Sequence, residues 1–144
     1  MSFQSEANNR YHLYLSYAWN HNGACDELCE LLRRIEQFDP AFTLIAPDHP
    51  ANRSSDERAL YQTIKAKMKF CDVVILLVGG YPDYSRWINK ELIACRDGLH
   101  KPVIAVQRDA LDSASFIIKE NADLMVGWDA ESIIQAIKQI ARKP

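Results

Sequence analysis

Bulky, β-prone residues set the first pattern, and Tyr11 to Tyr17 reads as a strand. Asn20, Asn22 and Gly23 break it. Cys25, Leu28, Cys29, Leu32, Ile35 and Phe38 then recur at helical spacing among Asp26, Glu27, Arg33 and Arg34, which predicts an amphipathic helix closed by Asp39-Pro40. Phe42 to Ala46 reads as a second strand, and the two prolines of Pro47 to Arg53 mark a loop. Ser54 and Glu57 fit a capping box before a helix with Leu60, Ile64 and Met68 on one face. Val73 to Val78 is uninterrupted Val, Ile and Leu, as expected of a central parallel strand buried on both faces. Gly79-Gly80 ends it. Ser85 can cap a helix from Arg86 to about Asp97, with Ile88, Leu92, Cys95 and Leu99 inward and Gly98 as the stop. Val103 to Val106 predicts a fourth strand, Ser113 to Glu120 a short helix and Ala122 to Val126 a fifth strand. Asp129 can cap a last helix carrying Ile133, Ile137 and Ile140.

Strand and helix thus alternate five times. Strands joined through helices run parallel, because only a crossover returns the chain to the same edge. The expected fold is α/β: a three-layer, doubly wound, five-stranded parallel sheet of flavodoxin-like order. Residues 1–10 read as a flexible N-terminal tail and residues 11–144 as a single domain.

Composition sharpens this picture only in places. Of 144 residues, 48% are hydrophobic and 25% charged, which excludes disorder over most of the length. A net charge of −2 points away from nucleic acid or an anionic membrane as main partner. Apolar runs reach about six residues, against about twenty for a membrane span. The polar start lacks a signal-peptide core, so the expected location is the cytoplasm. Cys25, Cys29, Cys71 and Cys95 form no Cys-x-x-Cys pair and have no His at zinc spacing; they read as reduced core residues, and no metal is expected.

Open parallel sheets bind ligands beyond the carboxyl ends of their strands, where strand order reverses. The loops concerned start near Ser16, Pro47, Gly79, Gln107 and Gly127. They hold Ser16, Tyr17, Trp19 and Asn20, then Pro47, Asp48 and His49, then Tyr81, Tyr84 and Ser85. Trp87 and Glu91 are four apart and share a helix face flanking the inward stripe. On spacing alone, a lid-like indole beside a solvated glutamate explains that pair better than a ligand site does. Ser16 lacks a Gly-x-Ser-x-Gly elbow, no Gly-x-Gly-x-x-Gly follows the first strand, and no phosphate loop is present. His12 and His100 read as structural, while His21 and His49 fall in ligand-edge loops. A phosphoacceptor would need acids at the ends of the first and third strands; Asp72 stands at the opposite end.

Leu13 to Trp19, Tyr81 to Glu91, Lys101 to Ile104, Ala122-Asp123 and Val126 to Trp128 together give the chain a likeness to a known family. It resembles the TIR-like domains of the Thoeris anti-phage defence family over about Tyr11 to Ala141, the run Ser85-x-Trp87-x-x-x-Glu91 being the most specific part. The resemblance implies cleavage of the nicotinamide–ribose bond of NAD+, with Glu91 as the catalytic carboxylate. Ser16, Tyr17, Trp19, Pro47, Asp48, Tyr84 and Trp87 are the expected substrate-binding residues. NAD+ enters as substrate, with no bound cofactor. The product would be a cyclic or conjugated ADP-ribose derivative that acts on a separate effector protein. A homo-oligomer or a phage-protein trigger is an expected partner. One departure concerns self-association: the loop Pro47 to Arg53 has no glycine where such loops often carry one. Two alternatives stand beside the enzyme: a non-catalytic TIR interaction module, and a nucleoside deoxyribosyltransferase-like enzyme.

Overall fold

The computed structural model describes residues 10–15, 24–43, 57–78, 92–107 and 116–141. Its elements in chain order are β1 (Arg10–Leu15), α1 (Ala24–Arg33), β2 (Asp39–Thr43), α2 (Glu57–Met68), β3 (Val73–Val78), α3 (Ile93–Gly98), β4 (Val103–Gln107), α4 (Phe116–Asn121), β5 (Leu124–Gly127) and α5 (Ala130–Ile140). All strand pairs are parallel, and the sheet order is β2-β1-β3-β4-β5. This is the expected flavodoxin-like, doubly wound α/β architecture. Strand order reverses between β1 and β3.

The period of two along each strand explains the two half-cores. Leu13 and Leu15 of β1, Val73 and Ile75 of β3, and Ile104 and Val106 of β4 pack with Leu28, Cys29 and Leu32 of α1 and Ile133, Ile134 and Ile137 of α5. Tyr14, Val74, Leu76, Val103 and Ala105 face the other way, onto Ile64 and Met68 of α2 and Leu92, Ala94 and Cys95 at α3. A strand covered on both faces needs apolar residues at every position, which is why Val73 to Val78 shows no alternation.

Two aspartates pin strand starts by the same device. Asp72, just before β3, donates its N–H to His12 O at 2.7 Å, and its Oδ2 accepts from His12 N at 2.8 Å. Asp123, just before β5, donates its N–H to Val103 O, and its Oδ2 accepts from Val103 N, both at 2.8 Å. Arg96 at the end of α3 forks onto Asp123 at 2.8 and 3.3 Å and also donates to Lys101 O. Lys101 Nζ in turn donates to Cys71 O at 2.8 Å.

The structure corrects several boundaries. Helix α1 stops at Arg33, so Ile35 is 40% exposed and does not join the inward stripe, although Phe38 is buried. Asp39-Pro40 does not close that helix but opens β2, three residues before the expected start at Phe42. Register settles why a proline is tolerated there. His12 gives both backbone groups to Asp72 on the β3 side, so its neighbour Tyr11 turns toward β2 and Pro40, its partner, turns outward. The amide that proline lacks costs no ladder bond on this edge strand. β1 starts at Arg10, inside the stretch read as tail, in register with Asp39 and ion-paired to it at 3.3 Å.

Helix α3 also differs. Its segment Ile93–Gly98 is π-helical, with Leu99 N donating to Ala94 O at 2.8 Å. The residue that ends it in left-handed backbone is His100 (φ 55°), not Gly98. Gly98 serves another purpose: a Cβ there would lie 3.1 Å from the Tyr61 hydroxyl and 3.3 Å from Lys65 Cε, so its lack of a side chain lets α3 approach α2.

Candidate functional site

Parallel strands all leave the sheet at one edge. β1 is described to Leu15, which is in register with Ile75; β3 continues to Val78, in register with Gln107 at the end of β4. In sequence, Ser16 and Tyr17 follow β1 directly, and Gly79-Gly80 follow β3. The switch point between β1 and β3 is therefore where these two connections start. Glu91 stands immediately before Leu92, which is helical and 3% exposed at the head of α3.

The residues nominated from sequence, Ser16, Tyr17, Trp19, Pro47, Asp48, Tyr84, Trp87 and Glu91, lie outside the described residues, as do His21 and His49. The topology fixes the strand ends from which their loops depart. Around those ends the described residues add polar groups that the sequence did not single out for substrate binding. Gln107 closes β4 half-buried beside Val78, and Thr43 closes β2 half-buried. Each is a polar residue at the tip of a mostly apolar strand, a signal visible in the sequence. Tyr14 is wholly buried one residue before the end of β1.

Asp129 stands after β5 at the same edge. Its carboxylate accepts from Ser132 N at 2.9 Å and Ser132 Oγ at 2.8 Å, capping α5 as expected. Those hydrogen bonds hold its pKa below the ordinary aspartate value. Two cavities flank α1. A cavity of about 650 Å³ is lined by Asp26, Cys29, Glu30, Arg33, Arg34 and Phe42, with the Arg33 guanidinium 5.0 Å from the Phe42 ring centre. A cleft of about 270 Å³ is lined by Glu27, Glu30, Leu31, Arg34 and Trp128.

Asp72 lies at the amino end of β3, opposite the exit edge, and its carboxylate is engaged by His12. Cys29, Cys71 and Cys95 are buried and form no disulfide, and burial pushes the Cys71 thiol up to about 12. Among the described residues no group of three or more His, Cys, Asp or Glu is placed to hold a metal ion. No helix among them is long and apolar enough to cross a membrane.

The chain is similar to a pilus assembly-related protein from Burkholderia pseudomallei, with 13% identity over 97% of this chain and 92% of that one at a TM-score of 0.53. It is also similar to a response regulator receiver domain from Methylobacillus flagellatus (15% identity, 92% and 98% coverage, TM-score 0.48). A protein described as a flavoprotein from Bacteroides eggerthii matches with 18% identity, 94% and 99% coverage and a TM-score of 0.44. No curated protein matches the chain. The family model of the Thoeris protein ThsB, TIR-like domain, matches residues 14–113. That stretch runs from the end of β1 past β4 and includes the switch point with all eight nominated residues, so this chain belongs to the ThsB-type TIR-like domains of the Thoeris defence family.

Proposed function

We propose that the domain cleaves the nicotinamide–ribose bond of NAD+, with Glu91 as the essential carboxylate. The observation that carries this reading is the family match over residues 14–113, which spans every residue assigned to the site. The chemistry suits a single acid. Nicotinamide in NAD+ is already a pyridinium, so it departs neutral with the bonding electron pair and needs no proton. The ribose carbon becomes oxocarbenium-like, as in glycoside cleavage. A carboxylate against the ribose hydroxyls stabilises that growing positive charge more in the transition state than in the ground state. Trp19, Tyr84 and Trp87 supply rings that can stack on nicotinamide or adenine and exclude water. Attack by water gives ADP-ribose, nicotinamide and a proton; attack by the adenine of the same molecule gives a cyclic isomer; attack by a third nucleophile gives a conjugate. The released product is a signal for a separate effector.

The test is mass spectrometry of small molecules after incubating the pure full chain with NAD+, alone and with extract of phage-infected cells. Nicotinamide release that disappears in Glu91→Gln supports the reading. The substitution is expected to change stability by less than about 0.5 kcal/mol, checked by thermal unfolding. Activity retained in Glu91→Gln removes Glu91 from the mechanism. No release by the wild-type chain under any condition leaves an interaction module, and base exchange on free nucleosides would assign the deoxyribosyltransferase-like chemistry instead.

A further inference from the structure

At the entry edge of the sheet, opposite the strand ends discussed above, the corner between α2 and β3 is chemically distinct. From Arg58 to Cys71 the sequence has no Asp or Glu and carries Arg58, Lys65, Lys67 and Lys69. Lys67 and Lys69 are exposed and Lys65 is half-buried against Gly98. Phe70 follows at 77% exposure, with Lys69 Nζ 5.7 Å from its ring centre. Lysines in the last turn of a helix are accounted for by its dipole. Nothing in the fold accounts for the ring: the next residue, Cys71, is buried, and the turn is already closed by Cys71 N donating to Met68 O at 3.0 Å.

We propose that Lys65, Lys67, Lys69 and Phe70 form a docking tip for a protein partner that presents carboxylates around an apolar patch. This is independent of the NAD+ reading, since none of the four belongs to the site. Aromatic anchors are the residues that carry interface energy, and neighbouring cations select the sign of the partner and speed encounter. An extended anionic surface fits less well. A membrane or duplex would meet the whole entry edge, which also carries exposed Glu36 and Asp97. A single ring likewise makes no stacking platform for a nucleic-acid strand. A compact acidic patch addresses the tip alone.

The experiment titrates the ¹⁵N-labelled full chain with a synthetic peptide in which glutamates flank paired leucines. Parallel titrations use phosphatidylglycerol vesicles and duplex DNA. The peptide is expected to shift the amides of Lys65 to Cys71. The double variant Lys67→Glu/Lys69→Glu and the single variant Phe70→Ser should each weaken binding by at least about tenfold, with folding unchanged by circular dichroism. Lys138→Glu, in the last turn of α5, should bind as the wild type does. Absence of peptide binding, shifts located elsewhere, or equal binding by the variants would overturn the proposal. So would vesicles or DNA engaging this corner more tightly than the peptide.

Discussion

His100 is the described non-glycine residue with a positive φ, at 55°. Left-handed backbone costs a residue with a Cβ about 1–2 kcal/mol, while glycine adds freedom to the unfolded chain. His100→Gly is therefore expected to raise stability by about 0.5 kcal/mol, read as a higher urea midpoint. Sequence favoured Gly98 as the helix stop because glycine usually takes that conformation; here the close approach to Tyr61 and Lys65 claims the glycine and leaves the turn to a histidine. Such a requirement is set by packing between helices and leaves no mark in local sequence. Asp129 is the opposite case, legible because a cap is a local bond. Its folded-state pKa is depressed, so its contribution is complete above the ordinary aspartate pKa of about 3.9 and fades as pH falls through the lower folded value. Asp129→Ala should lower the melting temperature at pH 7, and the difference should shrink in strong acid. Cys71 has a raised pKa of about 12, so the folded state keeps the thiol neutral; stability from this group is full below the ordinary thiol value and declines as pH rises toward 12. Reaction of Cys71 with a maleimide, followed by mass spectrometry, should track global unfolding and be negligible in the native state.

Among the elements, the strands were the most legible. β3 was read at its observed bounds because burial on both faces forces an unbroken apolar run. β2 was the least legible: as an edge strand it is only partly covered, its pattern is diluted, and its second residue is a proline. Helix α1 was read too long because Ile35 and Phe38 keep the helical spacing after the helix has ended. The bracketing aspartates left no periodic signal, since their role depends on which strand lies alongside. Asp72 is 6% exposed, and Asp72→Ala would leave the His12 amide without its carboxylate partner. A loss of about 1–3 kcal/mol in chemical unfolding is expected. Removing the Arg96 fork with Arg96→Ala should cost less, about 1 kcal/mol, because the pair with Asp123 is partly exposed.

For the whole molecule, the sheet divides the interior into two half-cores that share strands but not helices. Ile133→Val on one side and Ile64→Val on the other should each cost about 1 kcal/mol, and the double variant should give the sum within about 0.5 kcal/mol. The alternation that predicts these layers was plain in the sequence, and so was the edge from which the nominated loops depart. One consequence lies in Pro40. It faces outward from β2, so a foreign strand aligning along that margin meets a position with no hydrogen to offer. Fibre-like stacking of copies through their backbones loses a bond at that position and is thereby discouraged on this flank.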